Sequence, residues 1–400
     1  MRFFKFFFKD LSLPAFTAGF VAVLVGFTSS VAIVFQAAQA FKATPEQLTS
    51  WMWALGLGMG LCSLVPSLWL RKPVMIAWST PGAAVLATAG LAGGFSMNEA
   101  VGAFMVCAGL ITLFGVTGWF ERVMNRIPVA IASALLAGVL ARFGLHAFMA
   151  AQTALPLVVL MLLSYLLMKR FFPRYAVPVT LFIAIIFIAI RAEFMTTTVI
   201  FELAKPVFVA PVFTWSAVVS LALPLFIVTM ASQNLPGVAA IKAAGYHTSS
   251  DMPLSKIITM TGLATLVLAP FGAFALNLSA ITAAICMGKE AHPDASKRYT
   301  AAVSCGAIYV LIGLFGGAIT GMLTAFPKEL IAAIAGLALL GTIGNGLAAA
   351  VQDESHREAA IITFLVTLSG VVIAGVGSAF WGVVAGAVAL FVQQYGKSKS

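Results

Sequence analysis

The chain has 400 residues, a formal net charge of +10, 61% hydrophobic residues and only 9% charged ones. Soluble domains carry roughly 25% charged residues, so a water-soluble protein is excluded, and the lack of strand-like alternation excludes a membrane β-barrel. The surplus Lys and Arg sit in short loops between apolar runs, which excludes a nucleic-acid-binding face and leaves the one-sided loop bias of a membrane protein.

Apolar runs of about 20 residues recur along the chain, the helix length needed to cross roughly 30 Å of hydrocarbon. Backbone groups in lipid must be satisfied internally. The sequence therefore reads as an all-α polytopic membrane protein of about fourteen segments. They cover 14–40, 48–70, 73–91, 97–119, 128–148, 153–168, 176–191, 212–241, 254–270, 273–288, 299–322, 327–350, 357–374 and 376–394. Ahead of them, Arg2, Lys5 and Lys9 interleave with phenylalanines, as in an amphipathic segment at the cytoplasmic interface. The apolar stretch from Phe16 is too long for the core of a secretion signal.

Segment 1 carries Thr28, Ser29, Ser30, Gln36 and Gln39. Serine and threonine commonly pack membrane helices, so the glutamines are the residues of interest. Segment 3 is interrupted at Trp78-Ser79-Thr80-Pro81-Gly82. Val74 to Trp78 are β-prone, Pro81 suits a first helical turn, and Ser79 or Thr80 is the expected N-cap. In segment 5, Arg142 and His146 lie one turn apart, placed to snorkel towards the outer interface. Segment 8 contains Ser232, Gln233 and Asn234 in succession. Such residues deep in an apolar segment need a partner or a cavity. Segment 10 is interrupted at Asn277-Leu278-Ser279, with Thr282 one turn later.

Segments 3 and 10 share a design: an extended stretch, a polar break, and a short helix rich in small residues. A gap-free alignment sets Ala77 beside Ala275, Ser79 beside Asn277 and Gly90 beside Gly288. The segments are seven apart, and an odd repeat is inverted across the membrane, as in secondary transporters. Two half-helices would then start near the midplane, each presenting unpaired N–H groups and partial positive charge. That is an anion site without a cationic side chain.

With a cytoplasmic N-terminus, 18 Lys and Arg fall on the cytoplasmic side and 5 on the outer side, which places both termini in the cytoplasm. The thirteen carboxylates all lie in loops or at segment ends, so no central acid carries a proton. The proton then rides on the substrate, on His146 or on a carboxylate at the edge. Cys62, Cys107, Cys286 and Cys305 sit in apolar runs without metal spacing. No cofactor or metal is expected. Enzyme motifs are absent, and the polar residues cluster at one depth, unlike a continuous channel lining.

These residues resemble the benzoate/proton symporter (BenE-like) family over essentially the whole chain. The resembling stretches run from Phe16 to Ser30, from Ala77 (AWSTPGAA), from Ala231 (ASQNLPG) and from Asn277 (NLSAITAAI). That family is similar in fold to the uracil permease and sulfate permease groups. The resemblance implies seven plus seven inverted segments with short antiparallel strands before the half-helices of segments 3 and 10. It implies a core domain over 1–127 and 212–324, and a gate domain over 128–211 and 325–400. Nucleobase carriers of this fold hold a neutral base with glutamates at about the places of Ser232 and Thr282. A carboxylate there would repel an anion, so its absence suits one. Sulfate permeases usually append a soluble domain; the sequence ends at Ser400, soon after the last segment, and none is expected.

The expected function is proton-coupled uptake of an aromatic carboxylate such as benzoate across a bacterial-type inner membrane. The alternative cargo is another organic or inorganic anion, or a nucleobase. The partners are the substrate, protons and the lipid bilayer, with no nucleic acid and a homodimer as one open assembly. The substrate carboxylate is expected between Thr80–Gly82 and Leu278–Ala280, held by backbone N–H groups. Ser79, Pro81, Ser279 and Thr282 shape the breaks. Gln39, Ser232, Gln233 and Asn277 add side-chain contacts, and Phe35 and Trp78 meet the ring.

Overall fold

Apolar runs without polar interruption become long helices, and the interrupted runs become broken ones. A computed structural model describes residues 7–28, 30–120, 128–172, 175–191, 202–246, 252–289, 291–318, 326–371, 373 and 378–394. Arg2 and Lys5 of the expected interfacial segment lie outside the described residues.

In chain order the elements are α1 (Leu13–Thr28), α2 (Val31–Ala40), α3 (Pro45–Leu70), β1 (Ile76–Trp78), α4 (Thr80–Gly93), α5 (Met97–Val116), α6 (Val129–Met149), α7 (Ala151–Phe171) and α8 (Ala176–Arg191). Next comes α9, which runs through Trp215–Ala217, Val218–Ala222, Leu223–Thr229, Met230–Asn234 and Leu235–Ala243, the second and fourth of these in π geometry. Then follow α10 (Leu254–Leu268), β2 (Leu276–Leu278), α11 (Ile281–Cys286), α12 (Tyr299–Leu314), α13 (Lys328–Val351), α14 (Arg357–Ser369) and α15 (Ser378–Gln394). Among the described residues, seven helices are long and apolar enough to cross a membrane, and four further apolar helices are shorter. The stretch 254–288 divides into α10 and the β2–α11 unit, as read from the sequence.

The packing falls into two sets. In one, α3 packs on α12, α5 on α10, α2 on α4, and α1 on α12 and α11. In the other, α6 packs on α13 and α14, α7 on α8 and α13, and α14 on α15. Small residues allow close approach, as is usual without a hydrophobic drive between helices in lipid. A Cβ on Gly56 of α3 would lie 2.5 Å from Gly313 Cα of α12. The centre of the first set is aromatic: Trp51 sits edge-on to Phe104 at 5.4 Å and tilted against Phe274 at 5.7 Å. Gly272 turns the chain from α10 towards β2 with φ of 102°, and a Cβ there would lie 1.9 Å from Trp51 Cδ1.

Candidate functional site

The two breaks meet at the centre of the first set. β1 and β2 pair antiparallel, with Ile76 across from Leu278, Ala77 from Asn277 and Trp78 from Leu276. Ser79 N donates to Ala275 O at 3.1 Å, and Ser279 N donates to Met75 O at 3.0 Å. These two bonds are images of each other at a spacing of 200 residues. The gap-free alignment, which set Ser79 beside Asn277, is displaced by two: Ser279 is the counterpart of Ser79.

Hydroxyls from neighbouring helices pin the ribbon. Ser63 Oγ of α3 accepts from Ile76 N at 2.9 Å, Ser67 Oγ from Val74 N at 2.9 Å, and Thr265 Oγ1 of α10 from Leu276 N at 3.1 Å. Strand backbone that faces helices instead of further strands is thereby satisfied, as buried N–H groups must be. Asn234 Oδ1 accepts from Leu278 N at 2.9 Å, and Ser30 Oγ accepts from Trp78 Nε1 at 2.8 Å. The Trp78 ring also packs on Phe27 at 5.5 Å.

Each break carries a serine cap. Ser79, at the start of α4, accepts from Gly82 N at 3.1 Å and from Thr229 Oγ1 at 2.9 Å. Ser279 accepts from Thr282 Oγ1 at 2.6 Å and, more weakly, from Thr282 N at 3.4 Å. The caps consume most of what the helix ends had to offer. In α4, Gly82 N goes to Ser79 Oγ, Ala83 N goes to Ser79 O, and Pro81 has no N–H. Among the described residues Thr80 N–H is the first-turn donor left over there. At the other break Ala280 and Ile281 keep theirs, but α11 has only 6 residues and sums few peptide dipoles.

The register corrects the expected arrangement of the site. Ser79 lies across from Ala275 and Ser279 from Met75, so the two helix starts are four strand residues apart, about 13 Å at roughly 3.3 Å per residue. One carboxylate cannot bridge them. Gly82 is not an open cradle either, because a Cβ there would lie 2.5 Å from Leu225 Cδ1 and 2.7 Å from Ser79 Oγ. Gln39 is not brought to the break. It is exposed, near the far end of α2, where Ala40 and Phe41 pack on Gly90 at the other end of α4. Phe35 is buried in the middle of α2.

The structure places Trp78, Ser79, Thr80 and Pro81 towards one end of the ribbon and Asn277, Leu278, Ser279, Ala280 and Thr282 towards the other, with the π turn that carries Ser232 and Gln233 packed against β2. Directly opposed residues of an antiparallel pair share a face, so Asn277 lies on the same face as Ala77, the part-exposed residue of the ribbon. Asn277 is fully buried. Its Nδ2 donates to Ala275 O at 2.9 Å, which fixes the amide orientation, and its Oδ1 has no hydrogen-bond partner. An unmade buried acceptor costs about 1–3 kcal/mol. Ser232 and Gln233 are part-exposed, in a π turn of the kind that recurs at functional sites.

Four contributors escaped the sequence reading. Ser30 read as an ordinary packing residue, and Thr229 drew no reading at all. Asn234 was visible as part of the polar run, but not as the acceptor that fixes β2. Tyr309 of α12 is buried with its hydroxyl towards the second break: a Cβ on Gly26 would lie 2.9 Å from that hydroxyl and 2.8 Å from Thr282 Cγ2. A phenol inside an apolar helix was its signal. Between α1, α11 and the start of α8 lies an open groove of about 360 Å³, lined by Leu13, Thr17, Val21, Tyr175 and Ile285 among others. Ile281, one turn before Ile285, is 62% exposed. In the loops, Ser355 and His356 hold the Asp353 carboxyl below the usual range, and Ser296 does the same for Asp294. Groups so held are poor proton carriers near neutral pH.

The model of one family, described as benzoate membrane transport protein, matches residues 9–392. The chain is similar to the inner membrane protein YdcO of Escherichia coli strain K12, at 50% identity over 95% of each chain. It is also similar to the benzoate membrane transport protein of Acinetobacter baylyi, at 42% identity over 96% of each. Among solved structures it resembles the transmembrane domain of the cyanobacterial bicarbonate transporter BicA, with a TM-score of 0.60 and 15% identity over 97% of this chain and 98% of that one. At that identity the likeness speaks for the fold alone.

Proposed function

The chain belongs to the benzoate membrane transport protein family, and from that premise we propose that this multi-pass membrane transporter takes up an aromatic carboxylic acid of the benzoate type together with a proton. The observation that carries the proposal is Asn277. Its buried, unpaired carbonyl oxygen wants a donor. An ionised carboxylate offers none and would be repelled, whereas a protonated acid supplies its O–H. The carbonyl oxygen of the acid would then take a leftover N–H at one break, from Thr80 or from Ala280 and Ile281. Ser232 and Gln233 would flank it from the π turn. Cargo and coupling ion cross as one neutral molecule, which suits a site without a central carboxylate.

Several observations support the rest of the reading. The serine caps and strand bonds that repeat at a spacing of 200 residues support two inverted halves, and so fourteen segments. The two packing sets support a core domain over 1–127 and 212–324 and a gate domain over 128–211 and 325–400. The bias of Lys and Arg, 18 against 5 across the proposed segments, supports both termini in the cytoplasm. A bicarbonate-like or other inorganic anion would need more donors than the capped helix ends retain, and a nucleobase would need an acid in place of Ser232 or Thr282.

Proteoliposome uptake of labelled benzoate tests this directly. A pH gradient, acid outside, should drive accumulation with the membrane potential clamped, and sodium should be dispensable. Uptake that requires sodium and survives collapse of the pH gradient would sink the proposal.

A further inference from the structure

Among the described residues, three buried polar side-chain atoms lack a hydrogen-bond partner: Asn277 Oδ1, Arg142 Nη1 and Thr367 Oγ1. The first belongs to the site above. Arg142 Nη1 lies elsewhere, where α6 meets α14, whereas Thr367 Oγ1 faces α15 and meets the Cβ position of Gly382. A Cβ on Gly138 of α6 would lie 2.8 Å from Thr367 Cβ, and one turn further along α6 the Arg142 guanidinium lies over Gly370, whose Cβ would meet Nη1 at 2.3 Å. Thr367 and Gly370 are themselves one turn apart at the end of α14.

Among the described residues, no acid pairs with the guanidinium. α6 and α15 contain no acid. Glu358 is at the opposite end of α14, twelve residues or about 18 Å from Gly370. Glu329, at the start of α13, accepts from the Thr153 hydroxyl at 3.3 Å. His146, one turn beyond Arg142, could add only positive charge. The end of α14 offers about half a negative charge, which makes the cation tolerable but leaves its fork unfilled. A part-buried guanidinium among apolar helices without an anion is otherwise costly.

α14 has 13 residues, about 20 Å of helix in a layer of roughly 30 Å, so it stops partway across, beside Arg142. Around that point Leu145, Val371 and Ile373 are exposed. A planar fork of donors matches a carboxylate.

We propose that Arg142 forms a second anion site in the gate helices, which takes the ionised carboxylate of the transported acid apart from the ribbon. The identity of the anion rests on the function proposed above; the presence of the site does not. Chloride serves as a bare anion probe, read by ³⁵Cl line broadening on the purified protein in nanodiscs. Wild-type protein should broaden the line and benzoate should reverse it. Arg142→Gln should lose most of the effect, with at least tenfold weaker benzoate competition, and Asn277→Leu should keep it. Should Arg142→Gln not fold, Arg142→Lys carries the test, weakening competition several-fold. Equal broadening in wild type and the Arg142 variants overturns the site. Broadening that phosphatidylglycerol abolishes and phosphatidylcholine preserves assigns the fork to a lipid phosphate and also overturns it. Arg142-dependent broadening that benzoate does not reverse overturns only the identity of the anion.

Discussion

Replacing Asn277 by leucine separates a binding role from a structural one, because the two predict opposite signs. Asn277→Leu keeps the volume, removes the unmet Oδ1 and loses the Nδ2 bond to Ala275 O. Ala275 O still accepts from Ser79 N, so no new orphan is created. Relief of the unmet acceptor is worth about 1–3 kcal/mol against about 1 kcal/mol for the lost bond. The empty protein should therefore melt at the same temperature or somewhat higher. Binding should move the other way. The acid fills the acceptor only when asparagine is present, so 1–3 kcal/mol of affinity is lost, roughly 5- to 150-fold in Kd. Differential scanning fluorimetry on the empty protein and equilibrium binding of benzoate give the two numbers. A variant that melts several degrees lower yet binds benzoate with unchanged Kd would refute the reasoning.

If the ribbon site binds only the protonated acid, its apparent affinity, measured as the part of binding lost in Asn277→Leu, should fall about tenfold per pH unit above the acid's own pKa, near 4; a flat Kd for that part between pH 5.5 and 7.5 contradicts this. Ser79→Ala removes the cap of α4 and should cost about 1 kcal/mol of stability, visible as a lower melting temperature. Arg298 is buried and donates to the carbonyls of His292, Met287 and Pro293 at 2.8, 2.9 and 3.4 Å, behind the end of α11. Lysine cannot reproduce that fork, and Arg298→Lys should destabilise by about 2–3 kcal/mol in the same assay. Reporter fusions should place both termini in the cytoplasm; an outer C-terminus contradicts the proposed orientation.

Much of this was legible in the sequence because proline, serine and charge act locally. Pro81 and Ser79 announced a helix start, and the β-prone run before them became β1. The polar run at 232–234 marked a distortion of α9, though no residue pattern reveals a π turn. What could not be read were relations between distant residues. Register is set when β1 meets β2, and only then does it follow that the two helix starts stand about 13 Å apart. Gln39 failed for a related reason: helix α2 runs alongside α4, so nine residues beyond Ser30 it has climbed past the break. Gly82 looked like an open backbone because nothing in the sequence says that Leu225 fills the space.

The ribbon has a consequence for how the molecule is made. Each of its strands comes from a different half of the chain, so among the described residues each finds its strand partner in the other half. During synthesis the first half must wait, with β1 unpaired, until some two hundred further residues have been inserted. The early product is thus a natural client for the insertion machinery, and the last step of assembly is a closure that neither half can complete alone. A gene fission between the halves would yield two fragments with complementary edges, dependent on each other for folding before either could matter for transport.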